Sequence, residues 1–183
     1  RPRAFSDLSD FPLIDYSLVD VPRYFQTWYG CKRMLYLYGS KGCPFSCSFC
    51  YNPAYNRLKY RKRPEEDLFE EFDYLVREHG MDGIYFTDDV FCPNKEELRR
   101  FCDGMKSRHY SGLTWGCQAR IGQFDRGDLE MMADAGCRWV FFGIETGSAE
   151  LQRKVGKNLD FGKMDDTFRA ARELGMVTIA SLI

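Results

Sequence analysis

The chain has 183 residues, enough for one domain with its own core but short of the about 250 residues of a complete α/β barrel. Apolar residues at 44% and charged residues at 29% exclude disordered and fibrous classes, and the 16% aromatic content is on the rich side. Lysine plus arginine, 26, nearly balances aspartate plus glutamate, 27, so there is no overall field to recruit nucleic acid or an anionic membrane surface.

In chain order, residues 1–33 are irregular, rich in proline and aspartate, and without a sustained period of 2 or 3.6. They read as a linker or lead-in. Arg1-Pro2-Arg3 opens no secretory signal, and no apolar run reaches the roughly 18 residues of a membrane span, so a cytoplasmic location is expected. The first strand is expected at Met34-Leu35-Tyr36-Leu37-Tyr38, stopped by Gly39 and leading into a loop over 40–50. A helix is expected over 64–79, with Pro64 in its first turn, Glu65, Glu66 and Asp67 complementing the dipole, and an apolar stripe of Leu68, Phe72, Leu75 and Val76.

The second strand, 83–87, closes on Asp88-Asp89, and Asn94 with Glu97 forms a candidate capping box for a helix carrying Leu98, Phe101 and Met105. The alternation continues with a strand over 114–121, a helix over 128–135, a strand over 139–144, a helix over 161–174 capped by Asp160, and a fifth strand over 177–183. Strands alternating with amphipathic helices mean parallel β with right-handed crossovers, hence a barrel or a doubly wound sheet. A parallel strand at the terminus, with no covering helix after it, leads us to expect that the natural protein continues.

Eight cysteines without an export signal read as reduced thiols or metal ligands rather than disulfides. Three of them, Cys43, Cys47 and Cys50, are spaced C-x3-C-x2-C directly after the first strand, and Gly42 and Pro44 mark a turn that presents side chains. Three thiolates on one loop can ligate three irons of a cubane and leave the fourth free to bind a small molecule. The competing reading is a non-catalytic zinc- or iron–sulfur-binding module, its fourth ligand Cys31 or another cysteine; His79 and His109 lie far from the loop.

In a parallel α/β barrel chemistry gathers at the carboxyl ends of the strands. Asp88 and Asp89 end the second strand, and one of them could simply cap the next turn. Gln118 and Arg120 share a face at the end of the third; Cys117 should face the helix layer. Arg120 calls for a carboxylate, either a ligand's or that of Asp88, Asp89 or Glu145 in a structural ion pair. The fourth strand ends Gly143-Ile144-Glu145-Thr146-Gly147-Ser148, where Gly143 and Gly147 permit close approach of a ligand, Glu145 emerges at the mouth, and Ser148 could cap a short helix. Cys92, Cys102 and Cys137 lie on or beside helices and read as core or surface thiols.

The loop Gly42-Cys43-Pro44-Phe45-Ser46-Cys47-Ser48-Phe49-Cys50, with Phe86-Thr87-Asp88-Asp89-Val90-Phe91 and Gly143-Ile144-Glu145-Thr146-Gly147-Ser148, resembles the radical SAM superfamily, most closely its cobalamin-linked branch with the anaerobic magnesium-protoporphyrin monomethyl ester cyclases and radical methyltransferases. The resemblance covers about 34–183. It implies a partial TIM-type barrel of about five βα units, truncated from a six-stranded one. It further implies a [4Fe–4S] cluster on the three cysteines, S-adenosylmethionine on the free iron, and release of a 5′-deoxyadenosyl radical.

By the same resemblance the backbone at Phe49 contacts the adenine, its ring having an ordinary core role as the alternative. Asp88 or Asp89 takes the methionine amino group, although Thr87-Asp88-Asp89 replaces the family's glycine-rich motif. Arg120 takes the methionine carboxylate, Gln118 on the same face is a further candidate cofactor contact, and the segment carrying Gly143, Glu145 and Ser148 takes the ribose and methionine. Residues 10–24 resemble a linker following an upstream cobalamin-binding domain, so cobalamin is implied only through sequence not in this chain. The resemblance also implies a one-electron donor of flavodoxin or ferredoxin type and a small-molecule or peptide substrate that these residues do not identify.

Overall fold

A computed structural model describes residues 5–183; the expectation for Arg1-Pro2-Arg3 lies outside the described residues. Six strands form one sheet in the order β1-β2-β5-β6-β7-β8: β1 (Gln26–Trp28), β2 (Cys31–Leu37), β5 (Gly83–Phe86), β6 (Thr114–Ala119), β7 (Cys137–Glu145) and β8 (Val177–Leu182). From β2 to β8 every pairing is parallel, while β1 runs antiparallel to β2 at the edge. The five parallel strands and their helices make a half-barrel, the partial TIM-type architecture expected from the alternation.

The helices are α2 (Glu65–His79), α3 (Lys95–Ser107), α4 (Arg126–Asp134) and α6 (Phe161–Glu173), with short α1 (Asn52–Tyr55) and α5 (Ala149–Lys154) near the loops. Their apolar stripes cover one face of the sheet. Leu35, Leu37, Ile84, Phe86, Trp115, Cys117, Val140 and Phe142 point into this layer and meet Phe72, Leu98, Phe101, Leu129 and Met132 in one core. Strand periodicity sends the alternate residues to the other face, where Cys31, Met34 and Trp139 form a second small cluster with Tyr85 against it.

The expected helices hold to within about two residues, and their caps explain the differences. Helix α4 begins two residues earlier than expected, because Asp125 and Asp128 form a reciprocal capping box. At α3 only half of the expected box exists: Asn94 accepts from the N–H groups of Glu96 and Glu97, while Glu97 accepts from the Tyr60 hydroxyl instead of closing back. Helix α2 has Pro64 just before its first residue and ends on Gly80 in the left-handed conformation.

The lead-in is more ordered than its composition implied. Three 3-10 turns are followed by β1, which folds onto β2 through Tyr29-Gly30, both at positive φ as a two-residue hairpin requires. The first parallel strand therefore starts at Cys31, not Met34. The Tyr29 ring stacks on Trp139 at 6.1 Å and closes the amino-terminal end of the half-barrel. Val21 is buried in the main core, and the Tyr16 hydroxyl donates to Glu71, itself paired with Arg63 at 2.7 Å. Cys92, Cys102, Cys117 and Cys137 are all buried, Cys137 within β7 rather than beside a helix.

Candidate functional site

Strand β2 ends at Leu37, and the loop after it turns over the carboxyl ends of the strands. A two-stranded ribbon, β3 (Ser40–Lys41) with β4 (Arg61–Lys62), forms the base of this loop. Asp88 and Asp89, at the end of β5, both reach it. The buried Asp88 carboxylate accepts from the Gly39 N–H at 3.0 Å and from the Ser40 hydroxyl. Asp89 accepts from the Gly42 N–H at 2.8 Å and from the Tyr51 hydroxyl at 2.7 Å. Gly42 itself, at φ +91°, leaves no room for a Cβ, which would stand 1.9 Å from the Lys59 carbonyl oxygen.

Downstream of the cysteines, α1 ties the loop off. Asn52 is buried; its side-chain carbonyl accepts from the Cys43 N–H at 3.1 Å, and its own N–H points at the Cys50 sulfur at 3.4 Å. The Ser48 N–H donates to the Val155 carbonyl at 2.9 Å, linking the loop to the segment after α5. The three thiols are thus held by hydrogen bonds from α1, from the end of β5 and from beyond β7.

All three cysteines line one cleft of about 300 Å³, within the range of small-molecule sites. Its wall includes Phe45, Phe49, Asp89, Gln118, Arg120, Gly143, Glu145 and Lys157. Arg120 lies over the Phe45 ring at 4.4 Å with its guanidinium 3.8 Å from the Cys47 sulfur. Contrary to the structural pairing considered from the sequence, no carboxylate stands within 4.0 Å of Arg120 among the described residues.

Glu145 is instead paired with Lys157, which is buried and also lies 5.8 Å from the Phe49 ring. Glu145 sits at φ +66°, an uncommon conformation for a non-glycine residue, where the β7–β8 register shifts. Gln152 fixes this bend. Its buried amide donates to the carbonyls of Ile144 and Thr146 at 2.7 and 2.8 Å, and its oxygen accepts from the Leu159 N–H. A Cβ at Gly143 would come 2.5 Å from a Glu145 oxygen and 2.6 Å from the Lys157 nitrogen, so any larger residue there displaces the ends of both side chains.

Two candidate residues stand outside the cleft wall. Asp88 lies beneath the loop, both carboxylate oxygens engaged by the Gly39 N–H and the Ser40 hydroxyl. Ser148 caps α5 by accepting from the Leu151 N–H at 3.3 Å. Cys31 is excluded as a fourth ligand: it is at the opposite end of β2, against Trp139 and 3.1 Å from the Thr114 hydroxyl. Lys157, Asn52 and Tyr51 were missed. The Asn52-Pro53 pair carried a helix-start signal, but the partner of Lys157 is set by the bend at Glu145, which no periodicity shows.

The donor set fits a cluster. The three thiols are reduced, and among the described residues no three Cys, His, Asp or Glu side chains converge on a point that a single ion could fill. Burial pushes the Cys43 thiol up, and the neighbouring Cys47, Cys50 and Asp89 add to this against the opposing Phe45 N–H. Three cysteines on one loop are a donor set that three irons of a cubane can take, leaving the fourth iron without a protein ligand.

The chain matches the family model described as the radical SAM superfamily over residues 37–183. Among curated proteins it is 29% identical over 144 residues to an uncharacterized methyltransferase of Pyrococcus horikoshii, covering 79% of this chain and 31% of that protein. It is 31% identical to the hopanoid C-2 methylase of Rhodopseudomonas palustris (76% and 26% covered) and 29% to an anaerobic magnesium-protoporphyrin IX monomethyl ester cyclase of Cereibacter sphaeroides (79% and 24%). The chain therefore spans about a quarter to a third of these relatives' length. Similar solved structures include the radical S-adenosylmethionine methyltransferase TsrM from Kitasatospora setae with cobalamin and a [4Fe–4S] cluster bound, at TM-score 0.70 and 23% identity, covering 79% of this chain and 28% of that one. The cobalamin-dependent radical enzyme OxsB is similar at TM-score 0.69 and 22% identity, with 81% and 23% covered. With a matched family model over most of its length, three thiols of the right spacing at the mouth of a half-barrel and the fold of these enzymes, the chain belongs to the radical SAM superfamily.

Proposed function

We propose that this chain is the radical-generating core of a larger enzyme, in which Cys43, Cys47 and Cys50 hold a [4Fe–4S] cluster and the cleft beside them holds S-adenosylmethionine. Held by Cys43, Cys47 and Cys50, the cluster would supply the single electron for reductive cleavage of S-adenosylmethionine to methionine and a 5′-deoxyadenosyl radical. The observation that carries the reading is the joining of three reduced thiols and an uncompensated arginine in one cleft. The chain's own groups bind and orient. Arg120, with Gln118 beside it, takes the cofactor carboxylate, a charge-assisted contact that a guanidinium makes in bidentate form. Glu145, held by Lys157 and flanked by Gly143, faces the amino group and ribose, Phe49 covers the adenine, and Asp89 holds Gly42 and Tyr51 at the rim. Asp88 and Ser148 act one step back, positioning the loop and the turn after β7.

Methyl transfer or oxidative cyclisation, with cobalamin supplied by a domain ahead of residues 1–33, is proposed from relatives named as methylases and cyclases and from the cobalamin-bound neighbours. Residues 34–183 are then the catalytic core and 1–33 its lead-in. A one-electron donor of flavodoxin or ferredoxin type and a small-molecule or peptide substrate complete the reaction. Eight free thiols suit a reducing cytoplasm, and no helix among the described residues is long and apolar enough to cross a membrane.

The test is anaerobic reconstitution of the full-length protein with iron and sulfide, then dithionite and S-adenosylmethionine. Formation of 5′-deoxyadenosine, abolished by Cys47→Ala, is expected; a reduced cluster that never cleaves the cofactor would overturn the reading.

A further inference from the structure

The chain is almost neutral overall, yet from Val21 to Pro64 it contains no aspartate or glutamate. Within that stretch Lys41, Arg57, Lys59, Arg61, Lys62 and Arg63 fall on the ribbon and turn at the base of the cysteine loop. Three of the six serve the fold: Arg63 pairs with buried Glu71 at 2.7 Å, Lys62 with Glu65 at 3.3 Å, and Arg61 donates to Asn56 and to the Ser6 carbonyl. Lys41, Arg57 and Lys59 are exposed, and none has a carboxylate within 4.0 Å among the described residues.

The turn carrying them is strained. Arg57 and Leu58 are consecutive non-glycine residues in the left-handed region, at φ 51° and 60°, each costing about 1 kcal/mol or more. Leu58 is 42% and Tyr55 73% exposed, so the turn presents apolar side chains next in sequence to Arg57 and Lys59, with Lys41 on the adjoining ribbon opposite Arg61. The turn is held in place, since Arg57 and Arg61 flank the Phe5 ring at 5.0 and 4.5 Å and the Lys59 N–H donates to the Asn56 carbonyl at 2.9 Å. It also abuts the loop, because the Lys59 carbonyl occupies the space beside Gly42, the residue before Cys43.

We infer that the turn Tyr55 to Lys59, with Lys41 beside it, is the docking face for an acidic one-electron carrier protein. The inference rests on the radical SAM reading above and names a partner for that site. Exposed apolar side chains next to unpaired cations suit a transient protein interface, and the charge selects an acidic partner and speeds its encounter. The carrier surrenders one electron and the cluster beside Cys43 accepts it; no bond is made or broken. A contact at Lys59 puts the carrier against the chain segment that leads into that ligand.

The test uses the full-length protein, with flavodoxin hydroquinone as the probe carrier. Complex formation is measured by calorimetry on cluster-free protein, and the rate of cluster reduction by stopped flow on reconstituted protein, for wild type and the double variants R57E/K59E and R57Q/K59Q. Binding should weaken at least tenfold in the Glu variant and by an intermediate factor in the Gln variant. Raising salt from about 50 to about 300 mM should weaken wild-type binding more than variant binding. Reduction by the carrier should slow in parallel, while reduced methyl viologen, a small cation, reduces the cluster of all three proteins without slowing. Unchanged affinity in both variants, equal slowing with both reductants, or wild-type binding to anionic vesicles or nucleic acid in preference to the carrier would overturn the inference. A failure of the radical SAM reading looks different: no cluster forms, or neither reductant reduces it, while the calorimetry still reports on the face.

Discussion

Asp88 illustrates how one buried carboxylate couples the loop to solution conditions. Its carboxyl is pushed up to about 6, chiefly by burial, against the lowering pull of the Ser40 hydroxyl and the Gly39 N–H. The folded chain thus binds this proton more tightly than the unfolded chain, whose ordinary value is 3.8. The group's contribution to stability is complete below about pH 4 and is lost as pH rises through about 6, an effect of about 3 kcal/mol. In Asp88→Asn that dependence should vanish, so the wild-type unfolding free energy relative to the variant should fall by about 2 to 3 kcal/mol from pH 4 to pH 7. Denaturant titrations across that interval check it, and a pH-independent difference would contradict it. Gly143 makes a separate residue-scale prediction. Gly143→Ala should drive Glu145 and Lys157 apart and weaken S-adenosylmethionine binding by roughly tenfold, about 1.4 kcal/mol, with the circular dichroism spectrum retained. Equal binding by both proteins would show that the ion pair does not shape the site. The cysteine spacing and the glycine at 143 were open to reading in the sequence; the separate fates of Asp88 and Asp89 were not, because adjacent residues at a strand end diverge by burial.

Among the elements, the turn from β7 into α5 carries the most site geometry for its size. Gln152 is 2% exposed and satisfies the two carbonyls that flank Glu145, with the Leu159 N–H as a third backbone partner. Gln152→Leu leaves buried carbonyls of Ile144 and Thr146 without this donor, at about 1 to 3 kcal/mol. The melting temperature should fall by several degrees, and cofactor affinity should fall with it as Glu145 leaves its left-handed conformation; a variant that loses neither would refute this role. Helices and parallel strands were legible because their apolar periods differ. What composition concealed was β1, three residues long and exposed throughout, whose pairing depends on Tyr29-Gly30 taking positive φ. Helix α1 and the β3–β4 ribbon were hidden for a similar reason, being too short to show a period and existing to frame the cysteine loop.

Over the whole molecule, the arrangement divides labour between the two ends of the half-barrel. At the amino-terminal end Tyr29 and Trp139 close the sheet, while at the carboxyl end the thiols, Arg120 and the Glu145–Lys157 pair open onto one cleft. That polarity follows from parallel strands, which deliver every loop with chemistry to the same end. The barrel class was readable from the alternation of elements; the substrate was not, because the residues that would select it are not distinguishable from those that serve the cofactor. The most direct test of the account is metal and sulfide analysis, with electron paramagnetic resonance, of the full-length protein after anaerobic reconstitution. Four irons and four sulfides per chain, with a reduced-cluster signal that changes on adding S-adenosylmethionine and is lost in Cys43→Ala, Cys47→Ala and Cys50→Ala, are predicted. One zinc per chain bound by the same three cysteines, with no iron–sulfur signal, would contradict it.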